Sequence, residues 1–418
     1  MQPWAQTIRG IESQLRLRVE QQRIPCFDYA IYHRGQMVGA GHGGWASIED
    51  RLELRAQSVF RMFSMTKPIT SFVALMLVEK GSITLDEPIS RVLPELGALC
   101  VLDGIDANGS LRTRPLDNPV TLRHLLTHTA GLTYHFMTMP GNDGRAEEGP
   151  LQKLYRKHGI KPAAAKIAAL PGDGAAVRTA AELLNAVASI PLVDDPGVQF
   201  HYSVATDLVG LIIERLTGTS LGAAFRTRLF EPLGMKDTGF SVSPAEVNRF
   251  TSNYRISAQG LELVDAWHDS DYLRQPALES GGGGLVSTAA DYARFLEMLR
   301  LGGTFGGHRL LSAEMCGEMC RPQLSAQVLA RSNLEASAGT GFGLGLGIYD
   351  DRHLANTPVP AGSLFWNGAA GTCCWFDPHH EVTAVVMTQL LENDGNRLDR
   401  LLHGEVYDED RMLRTSGP

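Results

Sequence analysis

Phe60-Arg61-Met62-Phe63-Ser64-Met65-Thr66-Lys67-Pro68-Ile69-Thr70 is the stretch from which the rest of the 418-residue chain is read. A short apolar run, Phe60 to Phe63, precedes a long apolar segment from about Ser64 to Lys80, and Gly81 supplies a helix stop. The pattern predicts a strand-like run feeding a buried helix. If Ser64 opens that helix, Lys67 lies one turn later on the same face. The ammonium then reaches the serine hydroxyl, and the helix N-terminus stabilises negative charge at the serine oxygen. A partly buried lysine among other donors gives up its proton more readily and is able to take one from the serine. Ser64 and Lys67 are therefore a candidate nucleophile and base. The plain alternative is a serine N-cap with a solvated lysine.

Outward from this stretch, residues 4–22 read as an amphipathic helix carrying Ile8, Ile11, Leu15 and Leu17. Phe27 to Ala40 reads as a hairpin about the turn His33-Arg34-Gly35-Gln36. Further helices are predicted at Leu122–Thr127, Ala180–Ile190, Asp207–Leu216, Ala289–Leu301 and Arg397–His403. Gly341–Ile348, Ser363–Trp366, Cys373–Phe376 and Val382–Thr388 read as successive short strands. The first hairpin most simply joins these late strands in one antiparallel sheet, which gives an α/β (α+β) chain with a helical region between the two halves of the sheet. The expected division is a split α/β sheet domain, residues 1–90 and 276–418, and a mainly helical domain, 91–275, with the active site between them. Residues 134–178, rich in Gly, Ala, Lys and Pro, read as an irregular insertion that shapes a pocket rim.

Composition narrows the function classes. Hydrophobic residues make up 44% and charged residues 20%, enough apolar surface to offset chain entropy over most of the length. The net charge of −8, with no Lys/Arg-rich run, speaks against nucleic acid as a partner. No stretch reaches the ~18 apolar residues that span a bilayer, and the first residues lack a signal-peptide pattern. The six cysteines (Cys26, Cys100, Cys316, Cys320, Cys373 and Cys374) form neither a disulfide framework nor a zinc pattern. Reduced thiols in a cytoplasmic protein are the expectation.

Other motifs compete with Ser64. Gly218-Thr219-Ser220-Leu221-Gly222 fits G-x-S-x-G, but a nucleophile elbow needs a strand before it. Here a helix precedes it, so Gly218 reads as a C-cap and Ser220 as an N-cap. Gly41-His42-Gly43-Gly44 imitates an oxyanion loop and reads as a turn. His124 and His128 have the i, i+4 spacing of metal ligands without a third partner, so no metal is expected. Ser280-Gly281-Gly282-Gly283-Gly284 lacks the G-K-[ST] of a phosphate loop and reads as backbone packed close to a cleft. Two further elements support Ser64. Tyr202-Ser203 precedes the apolar helix from Asp207, where a tyrosine hydroxyl can act as acid or base beside a lysine. Phe365-Trp366-Asn367-Gly368-Ala369-Ala370-Gly371-Thr372 interrupts the strands with small residues, against which a ligand can lie and whose N–H groups can hold an oxyanion.

Phe60 to Thr70 resembles the nucleophile region of class C β-lactamases and the related family VIII carboxylesterases. Thr121–Leu132, Pro196–Ser203, Pro232–Phe240, Gly281–Ser287 and Gly341–Gly347 resemble other segments of that superfamily, in its order, over roughly residues 10–395. The resemblance implies a β-lactamase/transpeptidase-like fold, Ser64 as the acylated nucleophile, Lys67 as its base, and Tyr202 as the tyrosine of the Y-x-N element. It aligns Trp366-Asn367-Gly368 with the K-T-G element, commonly W-G-G in the esterases, as substrate-binding residues. It places the oxyanion hole at the backbone N–H groups of Ser64 and Ala369. Three positions depart from the β-lactamases. Val204 replaces the Asn of Y-x-N, Trp366 replaces a carboxylate-binding Lys, and Asn367 departs even from W-G-G.

Losing that Asn and Lys favours uncharged substrates. The expectation is a cofactor-independent serine carboxylesterase acting on short-chain or small-metabolite esters. The alternatives are an acyltransferase using the same acyl-enzyme, a weak β-lactamase, or a catalytically silent ligand-binding member.

Overall fold

The computed structural model describes residues 2–108, 110–135, 149–160, 174–332, 339–350, 357–391 and 397–407. Helix α1 (Gln2–Glu20) leads into β1 (Cys26–His33), β2 (Gln36–Ser47) and β3 (Leu52–Glu53). The Ser64 segment follows as β4 (Phe60–Arg61), a 3₁₀ turn Phe63–Met65 and helix α2 (Thr66–Glu79). After the middle of the chain come helix α3 (Ala205–Thr217), β5 (Val286–Ser287) and helix α4 (Ala289–Arg300). The last part forms β6 (Thr340–Phe342), β7 (Gly347–Tyr349), β8 (Leu364–Asn367), β9 (Cys373–Asp377), β10 (Val382–Met387) and helix α5 (Leu398–Val406).

Eight of these strands make one sheet in the order β6-β7-β8-β9-β10-β1-β2-β3. Every neighbouring pair is antiparallel. The first hairpin joins the late strands as expected, with Asp28 opposite Met387 and His33 opposite Val382. Side chains alternate across the pleat. Phe27, Tyr29, Ile31, Ala384, Val386 and Trp375 enter a core with Ile11 and Leu15 of α1 and Leu398 and Leu402 of α5. Cys26, Ala30, Val385, Met387 and Cys374 enter the larger core on the other face, with α2, α3 and α4. Both faces are covered, which is why β1 and β10 read as apolar runs and not as alternating ones.

Several expectations are corrected. Gly41-His42-Gly43-Gly44 is not a turn but the continuation of β2. The glycines serve packing: a Cβ on Gly41 would lie 2.9 Å from the Tyr29 ring, and one on Gly43 2.9 Å from the Phe27 ring. Gly341–Ile348 is two strands, because Gly345, at φ +90°, turns the chain between them against Ser71 of α2. The region 91–275 also holds strands: a hairpin Cys100–Ile105/Leu111–Pro115 and another, Asn253–Ser257/Gly260–Asp265. The second is tied by parallel pairing to Leu390–Leu391, just beyond β10. Within 134–178, Pro150–Lys157 is helical, while residues 136–148 and 161–173 lie outside the described residues.

Candidate active site

Ser64 does not open the helix as its cap. It sits in the 3₁₀ turn before α2, and no side chain caps either element. The turn is entered through Phe63 at φ +45°, a backbone conformation rare for a bulky residue and often found at functional sites. Strong supports hold it there. Phe60 and Arg61 pair with Ser287 and Val286, and Met62 N–H donates to Leu285 O at 2.9 Å. The Arg61 side chain, fully buried, donates to Asp265 (2.8 Å) and Gln389 (3.2 Å) and stacks 4.1 Å over the Phe250 ring.

Lys67 follows in the first turn of α2, buried. Its Nζ lies 3.3 Å from Ser64 Oγ, 3.3 Å from Tyr134 Oη and 2.7 Å from the Gly282 carbonyl. Among the described residues it has no carboxylate within ion-pairing distance. Burial therefore dominates, and it depresses the ammonium to about 7, with the Asp207 charge opposing the fall. Lys67 therefore gives up its proton far more readily than an exposed lysine, which is the property a general base needs.

Tyr202 stands at the entrance of α3, and its hydroxyl donates to Ser64 Oγ at 2.6 Å. Burial pushes this hydroxyl well above an ordinary tyrosine, so it is a proton-bearing acid at neutral pH. Its ring covers Lys67, with Nζ 4.6 Å from the ring centre. Aromatic neighbours fix its angle: His128 at 4.9 Å, Tyr134 at 5.6 Å and Trp366 at 5.7 Å. The three predicted chemical groups thus meet at one oxygen.

The late-strand element reaches the same place. Trp366, buried on β8, touches Tyr202 and Phe342. Gly368 packs where a Cβ would strike the Met62 carbonyl and the Thr372 hydroxyl. That contact lays the Gly368–Gly371 turn against Met62, two residues before Ser64. Gly368 N–H is used, donating to Thr372 O at 2.7 Å. Among the described residues, Ala369 N–H makes no backbone hydrogen bond. Asn367 ends β8 opposite Cys373 and is exposed.

Three further residues belong to this site without a sequence signal that marks them: Tyr134, Asp207 and His128. Tyr134 appeared only as the first residue of the insertion. Asp207 appeared only as a helix start, and His128 only as a doubtful metal ligand. His128, at φ +55°, directs Nδ1 to the Ser203 hydroxyl (3.1 Å) and packs on Tyr202. Burial, then the Lys67 charge, holds its pKa far below the usual range, so it is neutral. His124 instead completes a capping box with Thr121. No single-residue signal marks these roles; each depends on which distant segment packs alongside. Ser220 caps the segment after α3, accepting from Ala223 N–H, and Gly218 ends α3 in the left-handed conformation, as expected for both.

Residues 11–407 match the Beta-lactamase family. Protein Rv1367c of Mycobacterium tuberculosis is 34% identical over 366 residues, covering 86% of this chain and 84% of its own. Esterase EstB of Burkholderia gladioli is 32% identical over 392 residues, covering 87% and 88%. Among solved structures, EstCE1, described as a hydrolase with promiscuous acyltransferase activity, superposes with a TM-score of 0.75 at 25% identity, covering 97% of this chain and 99% of its own. The antiparallel sheet, the order of the matched segments and these likenesses agree: the chain belongs to the Beta-lactamase family and is a β-lactamase-like serine hydrolase.

Proposed function

We propose that the protein is a carboxylesterase that hydrolyses small uncharged esters through an acyl-enzyme on Ser64. The observation that carries this reading is the convergence of Tyr202 Oη (2.6 Å) and Lys67 Nζ (3.3 Å) on Ser64 Oγ. Neutral Lys67 takes the Ser64 proton as Oγ attacks the ester carbonyl. The oxyanion is received by Ser64 N–H and by Ala369 N–H, a donor with no backbone acceptor of its own. The Tyr202 hydroxyl gives its proton to the departing alkoxide, and the Lys67 ammonium restores the tyrosine. Water then attacks the acyl-enzyme by the same steps in reverse. An apolar Trp366 ring in place of a cation, and Val204 in place of an amide, favour an ester over a β-lactam carboxylate.

The test is intact mass after fluorophosphonate treatment, wild type beside Ser64→Ala, with turnover of short p-nitrophenyl esters and of a chromogenic cephalosporin. The expected result is one adduct, lost in Ser64→Ala, with ester turnover far above cephalosporin turnover. An adduct that survives Ser64→Ala and maps to Ser220 overturns the reading.

The description of EstCE1 favours a second reading, transfer of the same acyl group to an alcohol or amine. Ester synthesis that outpaces hydrolysis when an alcohol is added would select it. A Ser64 adduct with almost no hydrolysis would also select it, whereas normal ligand binding with no covalent labelling of Ser64 would select a catalytically silent binding member.

A further inference from the structure

A buried carboxylate, Asp207 in the first turn of α3, is joined to Lys67 through Gly282. We propose that Asp207 is a positioning residue for the Lys67 base. Through the Gly282 backbone it fixes the carbonyl that receives the lysine, and among the described residues it is the carboxylate facing that pocket.

The geometry is a short chain of contacts. Lys67 Nζ donates to Gly282 O at 2.7 Å, and Gly282 N–H donates to Asp207 Oδ1 at 3.0 Å. The Ser280 hydroxyl donates to the same Oδ1. Thr70, one turn beyond Lys67 on α2, donates to Gly281 O at 2.7 Å. The 280–282 turn is thus stitched to α2 on one side and to α3 on the other. Its glycines allow this. A Cβ on Gly282 would lie 2.5 Å from Asp207 Oδ2, and one on Gly281 2.7 Å from Thr206 O.

Electrostatics give the arrangement a purpose. The titratable groups facing Lys67 are Ser64, Tyr134, Tyr202, His128 and Asp207. Those facing Asp207 are Lys67, Tyr134 and Tyr202, besides the Ser280 hydroxyl. Among these Asp207 is the carboxylate; burial pushes its pKa up, and the Ser280 hydroxyl, the Lys67 charge and the Gly282 N–H hold the anion against that rise. Burial alone drives the proton off Lys67; the Asp207 charge pulls it back. A base stripped of its proton too easily is a weak base, so the carboxylate keeps Lys67 basic enough to accept the serine proton.

The inference rests on the esterase reading of Ser64 and Lys67. Both hydrogen bonds to Asp207 end on Oδ1, so Asp207→Asn is able to keep both and remove only the charge. The experiment follows the pH dependence of fluorophosphonate labelling and of kcat/KM on a p-nitrophenyl ester. The expected result is an acidic limb moved down by about one pH unit. Ser280→Ala, which weakens support for the anion, moves it the same way by less. A rate lowered at every pH with the limb in place, or a limb moved upward, overturns the proposal. If Asp207→Asn does not fold, Ser280→Ala decides by the same criterion. Ser64→Ala is run beside them: labelling that survives it overturns the esterase reading, whereas an unmoved limb with labelling lost in Ser64→Ala overturns only the role of Asp207.

Discussion

The Tyr202 hydroxyl lies 2.6 Å from Ser64 Oγ, whereas Lys67 Nζ lies 3.3 Å from it. The shorter contact belongs to the group that holds its proton most firmly, because burial raises Tyr202 and lowers Lys67. In the proposed mechanism this makes Tyr202 the acid and Lys67 the base. Tyr202→Phe removes the proton for the leaving alcohol and is expected to lower kcat by about 10²–10⁴. Labelling of Ser64 is expected to slow but persist, and to be lost only with Ser64→Ala. Single-turnover kinetics on a p-nitrophenyl ester check this; full activity in Tyr202→Phe would contradict the assignment.

Lys67 is ionised less readily in the fold than in the unfolded chain, where its ordinary value of 10.5 applies. Between about 7 and 10.5 the unfolded chain binds the extra proton, so stability rises with pH across that window. Below it both states are charged and the folded state bears the whole desolvation cost. Lys67→Met is therefore expected to abolish ester turnover and raise Tm. The gain in Tm is expected to be largest at pH 6–7 and to shrink toward pH 10. Wild-type kcat/KM is expected to rise through about pH 7 as Lys67 loses its proton.

A methyl group at residue 368 would meet the Met62 carbonyl and the Thr372 hydroxyl. Gly368→Ala must therefore push the Gly368–Gly371 turn away from Met62 and the Ser64 segment. If Ala369 N–H holds the oxyanion, kcat falls by about 10²–10³ while KM changes little. A change confined to KM would place the turn in substrate binding alone.

Ser220, the serine of the competing G-x-S-x-G, accepts a hydrogen bond from Ala223 N–H. Ser220→Ala is expected to cost about 1 kcal/mol of stability as a lost N-cap and to leave ester turnover unchanged. Thermal melts and a p-nitrophenyl assay on one preparation read both.

Arg61 is buried, and it holds the Asp265 carboxylate and the Gln389 amide together. Arg61→Met strips Asp265 of its cation and is expected to cost about 3–5 kcal/mol. Loss of activity at 37 °C with partial recovery on cooling would place the defect in folding and not in chemistry.

Much of this was legible in the sequence because its local and global signals agree. The apolar runs of β1 and β10, the long helix after Ser64, and the caps at Gly218 and Ser220 are local patterns, and each appears as read. The meeting of Ser64, Lys67 and Tyr202 was legible because an S-x-x-K at a helix start and a tyrosine at another helix start each leave a local trace. What stayed hidden depends on distant packing. Gly41 and Gly43 look like turn residues, since nothing nearby says that aromatic rings of β1 lie against them. The strands at Asn253–Asp265 are half-exposed and broken by a Gly turn, so their alternation is faint. Asp207 reads as a helix start until the Ser280–Gly284 turn is laid on it.

The pairing of Arg61 with Gln389 has a consequence for how the protein is made. Those residues stand 328 positions apart, and β1 waits for Val382–Met387 to complete its other edge. Contacts of such long sequence separation form late and slowly. A chain emerging from the ribosome therefore carries Ser64 for most of its synthesis without the partners that hold it in place. The segment that carries Ser64 gains its Gln389 support only when nearly the last residues of the sheet are in hand.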